Sequence, residues 1–152
     1  MHEEPLLRDF EPRDQARVRR LVVDGLGEHW GVVDESLNPD LVDIASSYAH
    51  GRTVVVALGA DIVGTGTLVP RGTSSAEIVR MSISPELRRS GLGRRIVEEL
   101  LRTAREWSVS RVICETSSHW TDVVAFYLAC GFEITEEREG DFGRDTWFER
   151  LL

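Results

Sequence analysis

The segment from Glu77 to Arg94, EIVRMSISPELRRSGLGR, constrains this chain more than any other. It reads as a strand stopped by Pro85, which lacks the N–H that a ladder needs. A basic turn follows, and then two glycines that open a long helix from Gly91 to Trp107. That helix is predicted from Leu92, Ile96, Leu100, Leu101, Ala104 and Trp107, which fall on one face. The first turn of a helix holds four N–H groups without intrahelical partners, and the dipole adds about half a positive charge there. Gly91 and Gly93 remove the Cβ atoms that would keep a ligand's phosphates away. Arg88, Arg89 and Arg94 add charge-assisted donors. Together these features make a seat for a diphosphate. The run is not a Walker loop, which needs Gly-Lys-Ser/Thr after Gly and four residues. Nor is it Gly-x-Gly-x-x-Gly, because the third position is Ile96.

Around this segment the pattern is mixed α/β, with helices on both faces of one sheet. Leu6 to Phe10 reads as a first strand. Pro12 suits the first turn of a helix with Val18, Leu21, Val22 and Leu26 inward. Gly25, Gly27 and Gly31 are expected to break that helix and leave Gly27 to Gly31 irregular. Asn38-Pro39-Asp40 starts a second helix, with Leu41, Ile44, Ala45 and Tyr48 inward. Thr53–Leu58 and Ile62–Val69 form a hairpin around Gly59-Ala60-Asp61. Glu77 to Ile83 is a further strand, and Arg111 to Thr116 reads as a strand covered on both faces. Asp122 to Ala129 is a helix closed by Gly131. Phe132–Glu137 and Asp145–Leu151 are closing strands. No linker or repeat interrupts the 152 residues, which suit one domain, 1–152.

A net charge of −8 argues against a sequence-independent grip on nucleic acid. No apolar run approaches the ~20 residues of a membrane span. Met1-His2-Glu3-Glu4-Pro5 lacks the basic-then-apolar pattern of a leader, so a cytoplasmic location is expected. Cys114 and Cys130 sit among apolar neighbours and read as reduced, packed thiols. Histidines at 2, 29, 50 and 119 are too scattered for a zinc site, and no metal is expected. The arginines bunch between Arg80 and Arg111 while Glu133 to Glu149 is carboxylate-rich. One basic cluster in an acidic chain suits a small anion.

Arg88-Arg89-Ser90-Gly91-Leu92-Gly93 resembles the Gln/Arg-x-x-Gly-x-Gly/Ala signature of the GNAT superfamily of N-acetyltransferases. Arg80 to Glu86 resembles the strand before that signature. Ala125-Phe126-Tyr127-Leu128-Ala129-Cys130-Gly131-Phe132 is similar to the family's late helix ending in Tyr-x-x-x-Gly-Phe. The resemblance covers nearly the whole chain. It implies a mostly antiparallel sheet of about seven strands, splayed between the fourth and fifth. It implies acetyl-CoA as cosubstrate, with no metal. The backbone of Met81, Ser82 and Ile83 would bond the pantetheine arm, and the amides from Arg89 to Arg94 the diphosphate.

The resemblance also implies direct transfer to an amine, with Tyr127 as general acid donating to the departing thiolate. The base is expected to be a carboxylate. Glu77 lies four residues before Met81, hence on the same side of a regular strand. Glu115 lies inside an apolar strand, where a buried carboxylate is either used or paired, for instance with Arg80. Many relatives carry Asn about seven residues before the tyrosine; here that position is Trp120, with Ser118 and Thr121 as candidate replacements. Glu28, His29 and Trp30 fall where relatives wall the acceptor, a small-molecule or peptide amine. Relatives often pair through their C-terminal strands, which makes a homodimer an expectation that the acidic Glu133–Glu149 segment opposes. The alternative reading is a silent coenzyme-binding sensor of the same fold.

Overall fold

The computed structural model describes residues 4–31 and 33–152. The N-terminal reading through Met1, His2 and Glu3 therefore lies outside the described residues. The elements run β1 (Leu6–Asp9), α1 (Gln15–Trp30), α2 (Ile44–Ser47), β2 (Arg52–Leu58), β3 (Asp61–Arg71), β4 (Ser75–Ile83), α3 (Leu92–Glu106), β5 (Arg111–Ser117), α4 (Thr121–Ala129), β6 (Glu133–Gly140) and β7 (Gly143–Leu151). The seven strands form one sheet in the order β1-β2-β3-β4-β5-β7-β6. Every pairing is antiparallel except β4 with β5.

Alternation along the strands decides which helices cover which face. Val54 and Val56 point into a core shared with Ile96, Leu100 and Leu101 of α3 and Tyr127 of α4. Val55 points the other way, against Val18 and Val22 of α1 and Ile44 of α2. All three valines are fully buried. Each large side chain buried by α3 contributes about 1.5–3 kcal/mol, which makes this helix the main anchor of the fold.

Three sequence expectations change. Helix α1 runs unbroken through Gly25 and Gly27 to Trp30 and ends at Gly31, where φ is +79°. Gly25 lies so close to β4 that an added Cβ would stand 2.8 Å from Ser82 Oγ. Close packing here outweighs the ~1 kcal/mol that glycine costs in a helix. The second helix does not begin at Asn38: a 3-10 turn (Pro39–Leu41) precedes the short α2, and Ala45 is exposed. Asp43 accepts from Ser46 N at 3.2 Å and so starts α2 late. Finally, β5 is not covered on both faces. Val112 and Cys114 are buried under α3, but Glu115 on the opposite face is exposed.

The feature that shapes the site is a fork. β4 pairs with β5 only at Ser75–Arg111, Ala76–Val112 and Glu77–Ile113, and then the strands part. In the same stretch β4 bulges against β3. Thr67 faces Val79 and Thr65 faces Ser82, so Gly66 stands opposite both Arg80 and Met81. Arg80 takes φ +54°, a region that costs a non-glycine residue about 1–2 kcal/mol. A clamp holds it there. Arg80 Nε donates to Asp40 Oδ2 at 2.8 Å, and Nη2 donates to Asp40 Oδ1 at 2.7 Å and Asn38 Oδ1 at 3.0 Å. Tyr48 OH donates to Asp40 Oδ2 at 2.5 Å. Burial opposes the Asp40 charge, but the bonds from Arg80 and Tyr48 outweigh it and lower its pKa.

Asp40→Asn is expected to cost about 1–3 kcal/mol, read as roughly 2–4 °C of melting temperature per kcal/mol. Because the folded pKa of Asp40 is depressed, its stabilisation is present above the ordinary carboxylate range and fades as pH falls through the lowered value. The gap between wild type and variant should therefore close in acid. Arg80→Gly should be less damaging than Arg80→Ala by about 1–2 kcal/mol, since glycine keeps φ +54° without strain.

Candidate active site

A 3-10 turn (Pro85–Leu87) carries the chain from β4 toward α3. Arg89 at φ +62° and Gly91 at φ +90° then bend it into the helix. No side chain caps this helix start. Among the described residues the amides of Arg89, Ser90, Gly91, Leu92, Gly93 and Arg94 find no acceptor. The first paired amide is that of Arg95, which donates to Gly91 O at 3.0 Å. A Cβ added at Gly91 meets nothing within 4 Å, so the space above these amides is open. Gly93 is different: its Cβ would stand 3.0 and 3.1 Å from the Phe126 ring. That glycine makes room for α4 against α3.

The arginines also divide. Arg88 donates through both terminal nitrogens to Glu28, at 2.6 and 2.8 Å, and through Nε to Ile83 O at 3.2 Å. It ties the end of α1 to the turn after β4. Arg89, Arg94 and Arg95 make no ion pair among the described residues, and Arg94 and Arg95 line an open groove beside Gly91. Ser90 turns its hydroxyl back to Leu87 O, and Leu92 buries its side chain in the core. These two residues offer their amides alone.

At the fork the bulge overturns one expectation. Because Gly66 faces two residues of β4, the alternation flips at Arg80. Glu77 lies on the face opposite Ala76 and Ile78, whereas Met81 packs into the core beneath α3. The two are on opposite faces. Ile83 packs into the same core, and Ser82 Oγ donates to Leu21 O at 3.2 Å. Residues 81 to 83 thus reach the slot only through their backbone, on an edge that β5 has left.

Glu77 and Glu115 share a face at the apex of the fork, since Glu77 pairs with Ile113 and Glu115 is two residues further on. Glu77 accepts from Arg71 Nε at 2.7 Å and is mostly buried. Arg80 is committed to Asp40, so the expected pair with Glu115 does not form. Partial desolvation of the Glu115 carboxyl, with the charges of Asp145 and Glu77, raises its pKa.

Tyr127 is buried, at 4% exposure, with Phe126, Phe132 and Phe148 packed about its ring at 5.3–5.6 Å. Its hydroxyl has no hydrogen-bond partner among the described residues, and burial drives its pKa well above 10. Gly131 at φ +88° ends α4, and Phe132 N donates to Tyr127 O at 3.1 Å. The Tyr-x-x-x-Gly-Phe spacing is thereby a helix stop that lays Phe132 on the Tyr127 ring.

The last turn of α1 closes the open end of the fork. Glu28 reaches the turn after β4 through Arg88. His29 stacks on Trp120 after β5, with centroids 4.2 Å apart, and its Nε2 is 3.8 Å from Asp122 Oδ1. Trp30 meets Trp120 edge-on at 5.5 Å and Phe142 at 6.1 Å. Sequence reasoning missed Asp122 and Phe142 in this wall. The signal available was the aromatic at the tip of the last turn, Asp141-Phe142-Gly143. Of the two replacements considered for the missing Asn, Ser118 shares its hydroxyl with Thr146 at 2.7 Å and Thr121 is exposed. Among the described residues no cluster of His, Cys, Asp or Glu is built to hold a metal ion.

A forked sheet and a row of unpaired amides at the start of a long helix define a class of fold suited to seat a diphosphate-bearing ligand. The chain belongs to the acetyltransferase (GNAT) family, whose profile matches residues 16–132. It is 31% identical over 120 residues to N-acetyltransferase 8F1 of Rattus norvegicus, covering 74% of this chain and 54% of that protein. The chain spans about half the length of the curated relatives it matches first. Its fold is that of a GNAT-family acetyltransferase from Staphylococcus aureus, with TM-score 0.88, 15% identity, and 98% and 99% of the two chains covered. It is equally that of a Bacillus subtilis acetyltransferase solved with CoA, with TM-score 0.77, 16% identity, and 98% and 99% covered.

The two glycines should separate by calorimetry with CoA. Gly91→Ala puts a methyl group in the open space and strains the φ +90° turn that presents the amides, and is expected to weaken binding about 10-fold, worth ~1.4 kcal/mol. Gly93→Ala presses on the Phe126 ring, away from the open space above Gly91, and should leave affinity within about threefold. Equal losses would refute the distinction.

Proposed function

We propose that the protein transfers the acetyl group of acetyl-CoA directly to a primary amine. The row of unpaired amides at the start of α3, with open space above Gly91, carries this reading. It is the device that holds a diphosphate, and the open edge of β4 offers backbone groups to the pantetheine amides. The CoA-bound B. subtilis structure of the same fold supports the choice of coenzyme. Residues 89 to 94 bind the diphosphate through their amides, with Arg89 and Arg94 adding charge. The backbone of Met81, Ser82 and Ile83 lines the arm.

In the reaction a carboxylate at the fork, Glu115 or Glu77, takes the proton that the ammonium must lose. The neutral amine nitrogen then bonds to the acetyl carbon, the carbon–sulfur bond breaks, and the second proton lost from nitrogen balances the one that converts the departing thiolate to the thiol of CoA. Tyr127 acts as general acid. Its raised pKa keeps the hydroxyl protonated at neutral pH, so it donates a hydrogen bond to sulfur as negative charge grows there. Glu28, His29 and Trp30 wall the acceptor.

We take residues 1–152 to work as one acetyltransferase domain, supported by the single seven-stranded sheet. Among the described residues no helix is long and apolar enough to cross a membrane. The buried free thiols of Cys114 and Cys130 support a reducing, cytoplasmic setting. A homodimer through β6 is compatible only with a geometry that separates the exposed Glu133, Glu136, Glu137 and Glu139 of the two copies.

Thiol release from acetyl-CoA with a panel of amines tests the proposal. Tyr127→Phe should lower kcat by about 10²-fold or more. Its melting temperature should hold, because the lost hydroxyl has no partner in the fold. Coenzyme binding without turnover on any amine would favour a sensor and overturn the catalytic reading.

The pH profile identifies the base. A base must be deprotonated, so a raised Glu115 pKa places the acid limb of kcat/KM above the usual carboxylate range. Glu115→Gln should abolish that limb. A limb retained in Glu115→Gln and lost in Glu77→Gln assigns the proton to Glu77.

A further inference from the structure

The wall at the end of the fork is built from parts far apart in sequence. Trp30 comes from the last turn of α1, Trp120 from the turn after β5, and Phe142 from the tip between β6 and β7. They meet as one aromatic group, yet the outer two are not tucked away. Trp30 is 44% exposed and Phe142 64% exposed. Converged aromatic surface left facing water beside a cleft is surface that suits a partner.

The charges around it are specific. Arg88, the guanidinium joined to this wall, is bonded at both terminal nitrogens to Glu28, so the pair is neutral. Asp122 is left: its side chain is 68% exposed, and it faces His29 at 3.8 Å. Deeper in, Glu77 and Glu115 share the face at the apex of the fork; Glu77 is paired with Arg71, and Glu115 makes no ion pair among the described residues. The path from wall to fork thus offers carboxylates and π faces to a cation. Arg88 is not free to receive a carboxylate on the acceptor.

Resting on the acetyltransferase reading above, we propose that the acceptor is a monoamine carrying an aromatic ring and no carboxylate, an arylalkylamine. Its ring lies against Trp30 and Phe142, and its ammonium group points inward past Asp122, in the direction of Glu115. An aromatic amino acid would bring its own carboxylate toward Asp122 and Glu115, which repel it. A polyamine presents charge where the wall presents rings.

The test compares 2-phenylethylamine, ethylamine, phenylalanine and spermidine with the full chain. At saturating acetyl-CoA, kcat/KM for 2-phenylethylamine should exceed that for each of the other three at least about 10-fold. Phe142→Ala, at an exposed tip, should cut the preference over ethylamine about fivefold or more, mainly through KM, and Trp30→Ala should do the same. Equal rates for the two amines, or a preference untouched by Phe142→Ala, would overturn the proposal. If no amine is turned over, the transfer reading fails by itself. The wall is then judged by calorimetry in the presence of CoA: 2-phenylethylamine binding tighter than ethylamine supports it, and no difference sinks it.

Discussion

The parallel pairing of β4 with β5 ends after three rungs, and everything at the site follows from that early separation. Two neighbouring strands that part inside a sheet leave backbone N–H and C=O groups facing a gap. Such groups, if buried and unmet, cost about 1–3 kcal/mol each. The fork therefore persists only because other contacts over-determine it. Arg80 supplies one, held in a left-handed conformation by Asp40, Asn38 and Tyr48 from the segment between α1 and β2. Gly66 supplies another. An added Cβ there would lie 2.5 Å from Met81 Sδ and 2.8 Å from Ile96 Cγ2, so only glycine lets the flipped Met81 enter the core. The bulge thus exchanges a strained residue and an open edge for a well-packed face.

The same flip separates duties along one strand. Before the bulge, Glu77 stands on the face beneath which no large helix lies at β5. After it, Met81 and Ile83 serve the core under α3, and Ser82 meets α1. A strand of regular alternation would have put Met81 on the same face as Glu77 and away from the core under α3. Here the slot presents backbone, which suits an extended, amide-bearing arm better than a bulky pocket would.

Much of this was legible in the sequence because its signals are local. The β-branched run Thr53–Leu58, the helical spacing of α3, and Gly91 among arginines each lie within one short window. What was not legible depends on partners far along the chain. Nothing near Gly25 says that it abuts Ser82, so the helix appeared to break where it continues. Nothing near Gly93 names Phe126, and nothing near Arg88 names Glu28, 60 residues away. The bulge is the sharpest case. Arg80 looked like an ordinary strand residue, and the side of the strand on which Glu77 falls relative to Met81 turns on it. The aromatic wall is half legible: His29 and Trp30 stand out between glycines, while Trp120 and Phe142 join them only where two turns meet the end of α1.

An acidic chain that seats a diphosphate raises an electrostatic question, and the arrangement of pairs answers it. The net charge of −8 repels an anion at long range, but at physiological salt the field decays over about 8 Å. Beside Gly91 stand Arg94 and Arg95, without an ion pair among the described residues, and the positive end of α3, while Glu98, Glu99 and Arg102 line the same groove. Most other arginines of the basic cluster are neutralised locally: Arg80 by Asp40, Arg88 by Glu28, Arg102 by Glu99 and Glu106, and Arg111 by Glu149. Glu28 thereby marks the boundary of the positive zone. On its far side stand Asp122 and Glu115, with Glu77 paired to Arg71, so the balance of charge turns from positive at the helix end to negative at the fork. Screening keeps the two fields from cancelling, and the neutral Arg88–Glu28 pair stands between them.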